Sequence, residues 1–230
     1  MRRLGLIGGM SPESTALYYR LLVDGVAERL SGFESPDVLI HSVNFADIRR
    51  LQQADDWDGA GQMLADTARG LATAGAEALL IATNTMHLVA GAVEAATEIP
   101  LIHIADATAS ALRGRGVSRP ALFGTRRTME MGFYAERLER LHGLAVWLPG
   151  ERVRAEIDRI IFEELVKGRT LEGSREVFRS AARQALGDGA DGMILGCTEI
   201  GLLVDEADLG APTVCSARAH VDAALAFALS

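Results

Sequence analysis

The chain has 230 residues, and its 23 basic and 31 acidic side chains give a formal net charge of −8. With 49% hydrophobic and 23% charged residues, it has the composition of a globular protein and differs from disordered, collagen-like or disulfide-stabilised chains. An acidic surface repels a phosphate backbone, so we expect no nucleic-acid partner.

The two cysteines, Cys197 and Cys215, are too few for a disulfide framework or a structural zinc site. The N-terminal apolar run is too short for a signal peptide, and no run approaches the roughly 18 residues of a membrane helix. We therefore expect a cytoplasmic protein without a membrane partner.

Short apolar runs alternate with longer segments of helical periodicity along the chain. The predicted strands, in order, are residues 4–7, 38–42, 78–82, 101–104, 121–124, 145–148, 192–195 and 213–215. Between them, residues 18–30, 58–74 and 152–165 repeat apolar positions every three or four residues. This alternation predicts an α/β fold with parallel strands flanked by helices.

A helix start follows the first predicted strand. After Gly8 and Gly9, Ser11 offers a capping hydroxyl, Pro12 suits the first helical turn and Glu13 complements the helix dipole. The glycine-rich turn lets a ligand approach backbone N–H groups, as a carboxylate requires.

The sequence contains an internal repeat. Residues 4–11 resemble residues 120–127, and residues 79–85 resemble residues 193–199. Gly8 and Thr83 are 75 residues apart, and Gly124 and Cys197 are 73 apart. We therefore predict two similar α/β lobes, residues 1–98 with 212–230 and residues 99–211, each with a mostly parallel four-stranded sheet; the family resemblance described below implies that a pseudo-twofold relates them. Because open α/β sheets bind ligands at the carboxyl ends of their strands, the active site is expected between the lobes.

Cys197 is the first candidate for chemistry, because it directly follows a predicted strand. If a helix starts there, its thiol has a lowered pKa and serves as a base or nucleophile. The alternative is a buried, inert cysteine. The adjacent Thr198 and Glu199 favour a functional role, since neither packs well in an apolar core.

A second polar cluster, Thr83-Asn84-Thr85-Met86-His87, follows another predicted strand. Polar residues are costly there unless they face a cleft or cap a helix. His87 either tunes the proton affinity of a neighbour or is a hydrogen-bonded histidine of the first helical turns.

Four motifs together are similar to those of the aspartate/glutamate racemase family, and the similarity extends over residues 4–229. They are Gly8-Gly9-Met10, Asn84-Thr85-x-His87, Gly124-Thr125 and Gly196-Cys197-Thr198-Glu199. The resemblance implies a PLP-independent isomerase that needs no cofactor, acts on an acidic amino acid and forms a homodimer. It also implies that one cysteine removes the α-proton while a second returns a proton to the opposite face.

The two family cysteines fall on Thr83 and Cys197, so threonine replaces the first of them. A hydroxyl is a far weaker acid than a thiol, whose ordinary pKa is about 8.5. We therefore expect slow and asymmetric racemisation, in which Cys197 abstracts a proton far better than Thr83 does.

The resemblance also indicates which residues bind the substrate. Met10, Gln52, Asn84, Thr85, Thr125, Thr128 and Thr198 are candidate donors to the carboxylates, and Glu199 either meets the ammonium group or orients Cys197. Gln52, like Arg49, Arg50 and Lys167, lies in a region where the family places residues near the distal carboxylate, although the arginine pair also fits a solvated helix face. Cys215 is interpreted as a packing residue.

Two other functions compete with racemisation. Relatives with a single thiol in the second lobe decarboxylate malonates, and the lone Cys197 permits that reaction. A non-catalytic amino-acid-binding protein is the other alternative. The remaining histidines lack metal-ligand spacing, and the sequence has no nucleotide-binding glycine motif, so we expect no metal or nucleotide.

Overall fold

The computed structural model describes all 230 residues and shows parallel strands flanked by helices. The strands are β1 (Leu4–Gly8), β2 (Val38–Ser42), β3 (Ala78–Ile81), β4 (Pro120–Gly124), β5 (Gly192–Gly196) and β6 (Thr213–Cys215). The first helices are α1 (Pro12–Arg29), α2 (Phe45–Gln53), α3 (Trp57–Thr73), α4 (Ala90–Glu94), α5 (Ile104–Gly114) and α6 (Arg126–Glu130). The others are α7 (Phe133–His142), α8 (Glu151–Glu163), α9 (Glu172–Gly187), α10 (Glu206–Leu209) and α11 (Ser216–Ala228).

Three short 3₁₀ helices, Thr85–Val89, Leu165–Lys167 and Ile200–Leu202, complete the secondary structure. No helix combines the length and the apolar character needed to cross a bilayer.

The chain divides into unit 1, Met1–Ile104 with His220–Ser230, and unit 2, Ala105–Ala219. Both boundaries lie a few residues after those predicted. The reason is that two predicted strands pair with the sheet of the unit other than the one expected. Leu101 pairs with Leu79 in unit 1, and β6 pairs with β5 in unit 2. Apolar runs do not reveal which sheet a strand joins.

Each unit contains a parallel sheet, and with one isolated bridge counted in each, both sheets have the order second-first-third-fourth along the chain. The order is β2-β1-β3 in unit 1 and β4-β5-β6 in unit 2. Leu101 extends the first sheet beyond β3 by one bridge, and Trp147 extends the second beyond β4 by one bridge. The prediction of two similar α/β lobes is confirmed, although each observed sheet has three strands and one bridge in place of the four predicted strands.

Unit 1 buries β1 and β3 completely, as their continuous apolar sequences predict. The turn after β1 has the expected chemistry: Ser11 caps α1 by accepting a hydrogen bond from the Ser14 N–H, and Pro12 begins the helix. Gly9 has φ +88°, and a Cβ there would lie 2.1 Å from the Val43 carbonyl oxygen, so only glycine fits. The Gly9 N–H donates to the Thr15 hydroxyl at 2.7 Å, which ties the turn after β1 to α1.

Candidate active site

The unit 1 candidates cluster at the carboxyl edge of its sheet. Met10 follows β1, and Thr83, Asn84 and Thr85 follow the neighbouring parallel strand β3. Ser14 Oγ donates to the Ala82 carbonyl at 2.8 Å, which ties the start of α1 to the end of β3. Asn84 is buried, whereas Thr83 and Thr85 remain partly exposed. The sheet therefore presents both hydroxyl groups beside a buried amide.

His87 braces the turn that carries Thr83. Its Nδ1 lies 2.8 Å from the Thr83 carbonyl oxygen and its Nε2 lies 3.2 Å from the Ile104 N–H. Because the amide is a donor and the carbonyl an acceptor, Nδ1 carries the proton and Nε2 accepts. The His87 pKa lies well below its ordinary value, mainly because the ring is buried and secondly because the charges of His103 and His220 would repel its protonated form. His87 is thus a neutral, buried support, and of the two predicted roles the hydrogen-bonded histidine is the one observed.

His220 extends this support and was not identified from the sequence. Its Nε2 donates to the Ile102 carbonyl at 2.6 Å, and its Nδ1 accepts from the Tyr18 hydroxyl at 2.9 Å. Burial lowers its pKa to about 4. The three histidine rings lie close together, with 4.6 Å between the centres of His87 and His103 and 5.6 Å between those of His87 and His220. No sequence spacing indicates this cluster, because its members come from separate elements.

The candidates for a distal carboxylate differ in burial. Gln52, in α2, is buried, and its Nε2 lies 3.2 Å from the Met86 sulfur. The Arg50 side chain is 73% exposed and bound to Asp47, as expected for a solvated helix face. Lys167 is exposed. Gln52 is therefore the buried donor among these residues.

Cys197 and Glu199 form a close pair at the carboxyl end of β5. The thiol donates to Glu199 Oε2 at 2.9 Å, and the Thr198 hydroxyl donates to the same oxygen at 2.6 Å. All three residues keep part of their surface accessible. One carboxylate oxygen thus accepts from both neighbours and can receive the thiol proton.

The expected lowering of the Cys197 pKa is wrong. The pKa of the thiol lies well above its ordinary value. Burial is the largest cause, and the charge of Glu199 and the hydrogen bond to it add to the effect. The helix expected after Cys197 is absent, since only the 3₁₀ helix Ile200–Leu202 follows. Cys197 therefore rests as a neutral thiol rather than as a thiolate.

Thr125 and Thr128 begin α6 next to the end of β4. Thr125 caps the helix, its Oγ1 lying 3.4 Å from the Thr128 N–H and 3.1 Å from the Thr128 hydroxyl. Thr128 is buried, whereas Thr125 is partly exposed. Thr125 is thus the more accessible of the two candidate donors.

Strand register shows that Thr83 and Cys197 occupy equivalent positions within their units. Gly124 pairs with Gly196, and Cys197 is the next residue along the chain. In unit 1, Ile7 pairs with Ile81, so Gly8 lies opposite Ala82 and Thr83 comes next. Thr83 therefore lies one residue beyond the residue opposite Gly8, and Cys197 lies one residue beyond the partner of Gly124.

Comparisons with known proteins show the family and the fold of the chain. The family model for Asp/Glu/hydantoin racemases matches residues 7–224. A "putative Asp/Glu racemase" from Yersinia pestis is 44% identical, with complete coverage of both chains and a TM-score of 0.96. An aspartate racemase homologue from Pyrococcus horikoshii OT3 is 35% identical, again with complete coverage of both, and has a TM-score of 0.90.

An arylmalonate decarboxylase structure is more distant, with 19% identity, a TM-score of 0.54 and coverage of 99% of this chain and 93% of the other. At that identity only the fold is shared. The extent of the family match decides the assignment: the chain belongs to the Asp/Glu/hydantoin racemase family. It is an isomerase of the racemase class.

Proposed function

We propose that this protein racemises aspartate, glutamate or a close analogue without PLP, with Cys197 and Thr83 acting on opposite faces of the α-carbon. The observation that carries the proposal is the equivalent position of these two residues, a thiol paired with a carboxylate in one unit and a hydroxyl in the other. We further propose that the enzyme is a cytoplasmic homodimer.

Proton abstraction begins with the Cys197–Glu199 pair. The resting thiol passes its proton to Glu199 Oε2, and the resulting thiolate takes the α-proton of the substrate. The ammonium group of a bound amino acid favours this transfer, because a nearby positive charge stabilises a thiolate. Glu199 is thus a positioning residue that also stores one proton.

Thr83 completes the reaction by donating its hydroxyl proton to the carbanion. Water then reprotonates the alkoxide, and the hydroxide so formed takes up the proton that Glu199 stored, which returns all three groups to their resting state. The reverse direction requires the hydroxyl system to remove an α-proton, for which it is a poor base. Proton exchange is therefore asymmetric: the α-proton of the enantiomer whose α-hydrogen faces Cys197 exchanges with solvent faster, whereas kcat/KM for inversion is the same in both directions because the enantiomers have equal free energy.

We propose that backbone N–H at Met10 and the side chains of Asn84, Thr85, Thr125, Thr128 and Thr198 bind the carboxylates, and that Gln52 contributes its amide. No cofactor withdraws the negative charge of the carbanion in this mechanism, so donors placed in advance around the α-carboxylate must stabilise it.

Proton NMR in heavy water tests the proposal, with L- and D-aspartate and L- and D-glutamate incubated separately. We expect loss of the α-proton signal and appearance of the other enantiomer, at different rates from the two forms. No exchange after days, together with calorimetric binding of the amino acids, would instead indicate a binding protein.

A malonate decarboxylase is the second candidate, favoured by the single thiol, since one proton donor suffices for that reaction. The same experiment with aryl-substituted malonates separates the two functions. Release of carbon dioxide, without exchange at the α-position of glutamate, would support decarboxylation.

A further inference from the structure

Helix α1 exposes an apolar stripe that its own unit does not cover. Its members are Ala16, Tyr19, Val23, Ala27 and, at the C-cap, Leu30, hereafter the α1 stripe. At 100° per residue they fall within an arc of about 80°. Tyr19 is 47% exposed and Leu30 is 39% exposed. Ala16 and Ala27 are exposed and Val23 is half-buried, so the stripe faces solvent along its length.

The other sides of α1 already have partners or charges. A Cβ on Gly25 would touch Leu225 of α11, and Arg29 binds Asp222 of the same helix. Thr15 faces β1, where it would meet a Cβ on Gly8. The exposed charges of α1, Glu13, Arg20, Asp24 and Glu28, lie on the side away from the sheet. The α1 stripe therefore lies on the flank of α1 opposite α11, between the side that packs on the sheet and the charged outer side.

Apolar exposure continues from the stripe towards the edge of the sheet. Phe33, in the connection to β2, is fully exposed, and Ile40 of β2 is 41% exposed. Ile40 pairs with Leu6 and shares the face of the sheet on which Gly8 approaches α1. Strand β2 ends the sheet and contains no charged residue or proline, the usual protection of an edge strand. A contiguous exposed apolar surface of this kind indicates an interaction site.

The α1 stripe is complementary to itself. In an antiparallel pair of α1 helices with a twofold axis at Val23, each residue meets the one equally far from Val23 in the other direction. Ala16 then meets Leu30 of the second copy, Tyr19 meets Ala27, and Val23 meets Val23. Tyr19 and Leu30 each face an alanine, as close helix packing requires, and the charged residues of α1 lie outside the stripe, with Arg20 at its border.

We propose that a second copy of this chain docks here, through antiparallel packing of the two α1 helices. The stripe spans about 21 Å, and a footprint of roughly 20 Å by 10 Å is well below the ~800 Å² per partner of a stable interface. We therefore include the exposed apolar side chains of Phe33 and Ile40 in the proposed contact. The proposal specifies the interface of the homodimer proposed above and is independent of the catalytic roles.

Val23→Asp tests the contact, because the twofold axis brings its two carboxylates together. We expect wild-type protein to sediment as a dimer at micromolar concentration and Val23→Asp and Val23→Lys each to dissociate at least about 100-fold more readily. An equimolar mixture of the two variants should restore a dimer, since Asp then faces Lys. Leu141→Asp, at a 51% exposed apolar residue of α7, is the matched control and should remain dimeric.

An exchange of side chains provides a test without added charge. Tyr19→Ala alone leaves a gap and Ala27→Tyr alone overfills the contact, so both should weaken the dimer. The double variant should restore it, because each tyrosine again faces an alanine. Circular dichroism checks that every variant is folded.

A monomeric wild type, a folded Val23→Asp dimer or a mixture that stays monomeric would overturn the proposal. An apolar stripe that captures vesicles while the chain sediments as a monomer would also overturn it, in favour of a membrane surface. The α-proton exchange assay is read separately, so an inactive dimer contradicts only the proposed function and an active monomer contradicts only the interface.

Discussion

Units 1 and 2 share a strand order, but the turns after their equivalent strands β3 and β5 differ in chemistry. In unit 1 the turn after β3 rests on buried, neutral histidines, and its reactive candidate is the Thr83 hydroxyl. In unit 2 the turn after β5 holds a thiol against a carboxylate, with a 3₁₀ helix behind it. A shared scaffold thus places the residues equivalently, while their chemistry depends on the side chains around each turn.

The largest expected effect comes from removing the sulfur of unit 2. Cys197→Ala should lower α-proton exchange by about 10²–10⁴-fold or more, the range typical of an acid–base group. NMR exchange rates measure it. Cys215→Ala, the other cysteine, is the control and should retain most of the activity; equal losses in both variants would remove the distinction between a reactive and a packing cysteine.

Glu199→Gln should lower exchange by about 10²-fold, because the thiol loses its proton acceptor. The same substitution removes a negative charge that raises the Cys197 pKa, so the midpoint of iodoacetamide alkylation should move to lower pH. A more acidic thiol together with a slower enzyme is the distinguishing result. Glu163→Gln, at an exposed glutamate, is the control, and an unchanged alkylation midpoint in Glu199→Gln would contradict the pairing.

Acid should destabilise unit 1 through its histidines. The His220 pKa is about 4 in the folded protein and about 6.5 when unfolded, so the unfolded chain binds more protons between these values. Its contribution is complete above pH 6.5 and is lost as the pH falls towards 4, with a total loss of about 3 kcal/mol.

Urea unfolding at pH 7 and pH 4 measures this loss, with His220→Gln as the comparison. Glutamine can donate to the Ile102 carbonyl and accept from Tyr18 without titrating in this range. The variant should therefore lose less stability on acidification, and identical pH profiles would show that His220 does not titrate on unfolding.

Restoring the second sulfur should have the smallest effect. Thr83→Cys should accelerate α-proton exchange of the slower-exchanging enantiomer by about tenfold or more and reduce the difference in exchange rate between L- and D-substrates. Thr85→Cys, in the same turn, controls for the mere presence of a thiol. A Thr83→Cys enzyme as asymmetric as the wild type would locate the asymmetry elsewhere.

The sequence predicted those parts of the site that depend on local order. Buried strands show as apolar runs, and Ser11 and Pro12 form the start of α1 as expected. The repeat predicted that Thr83 and Cys197 are equivalent, which the register in each sheet supports. The Cys197 pKa could not be predicted, because it depends on how deeply the thiol is packed and on where the Glu199 carboxylate turns.

By itself, the sequence determined the α/β class, the duplication and the residues at the strand ends, since periodicity and spacing are written along the chain. Only the tertiary structure decided which strands pair, why Cys197 rests as a thiol, and how His87 and His220 come together. These features depend on burial and on contacts between residues far apart in the chain, which no local pattern encodes.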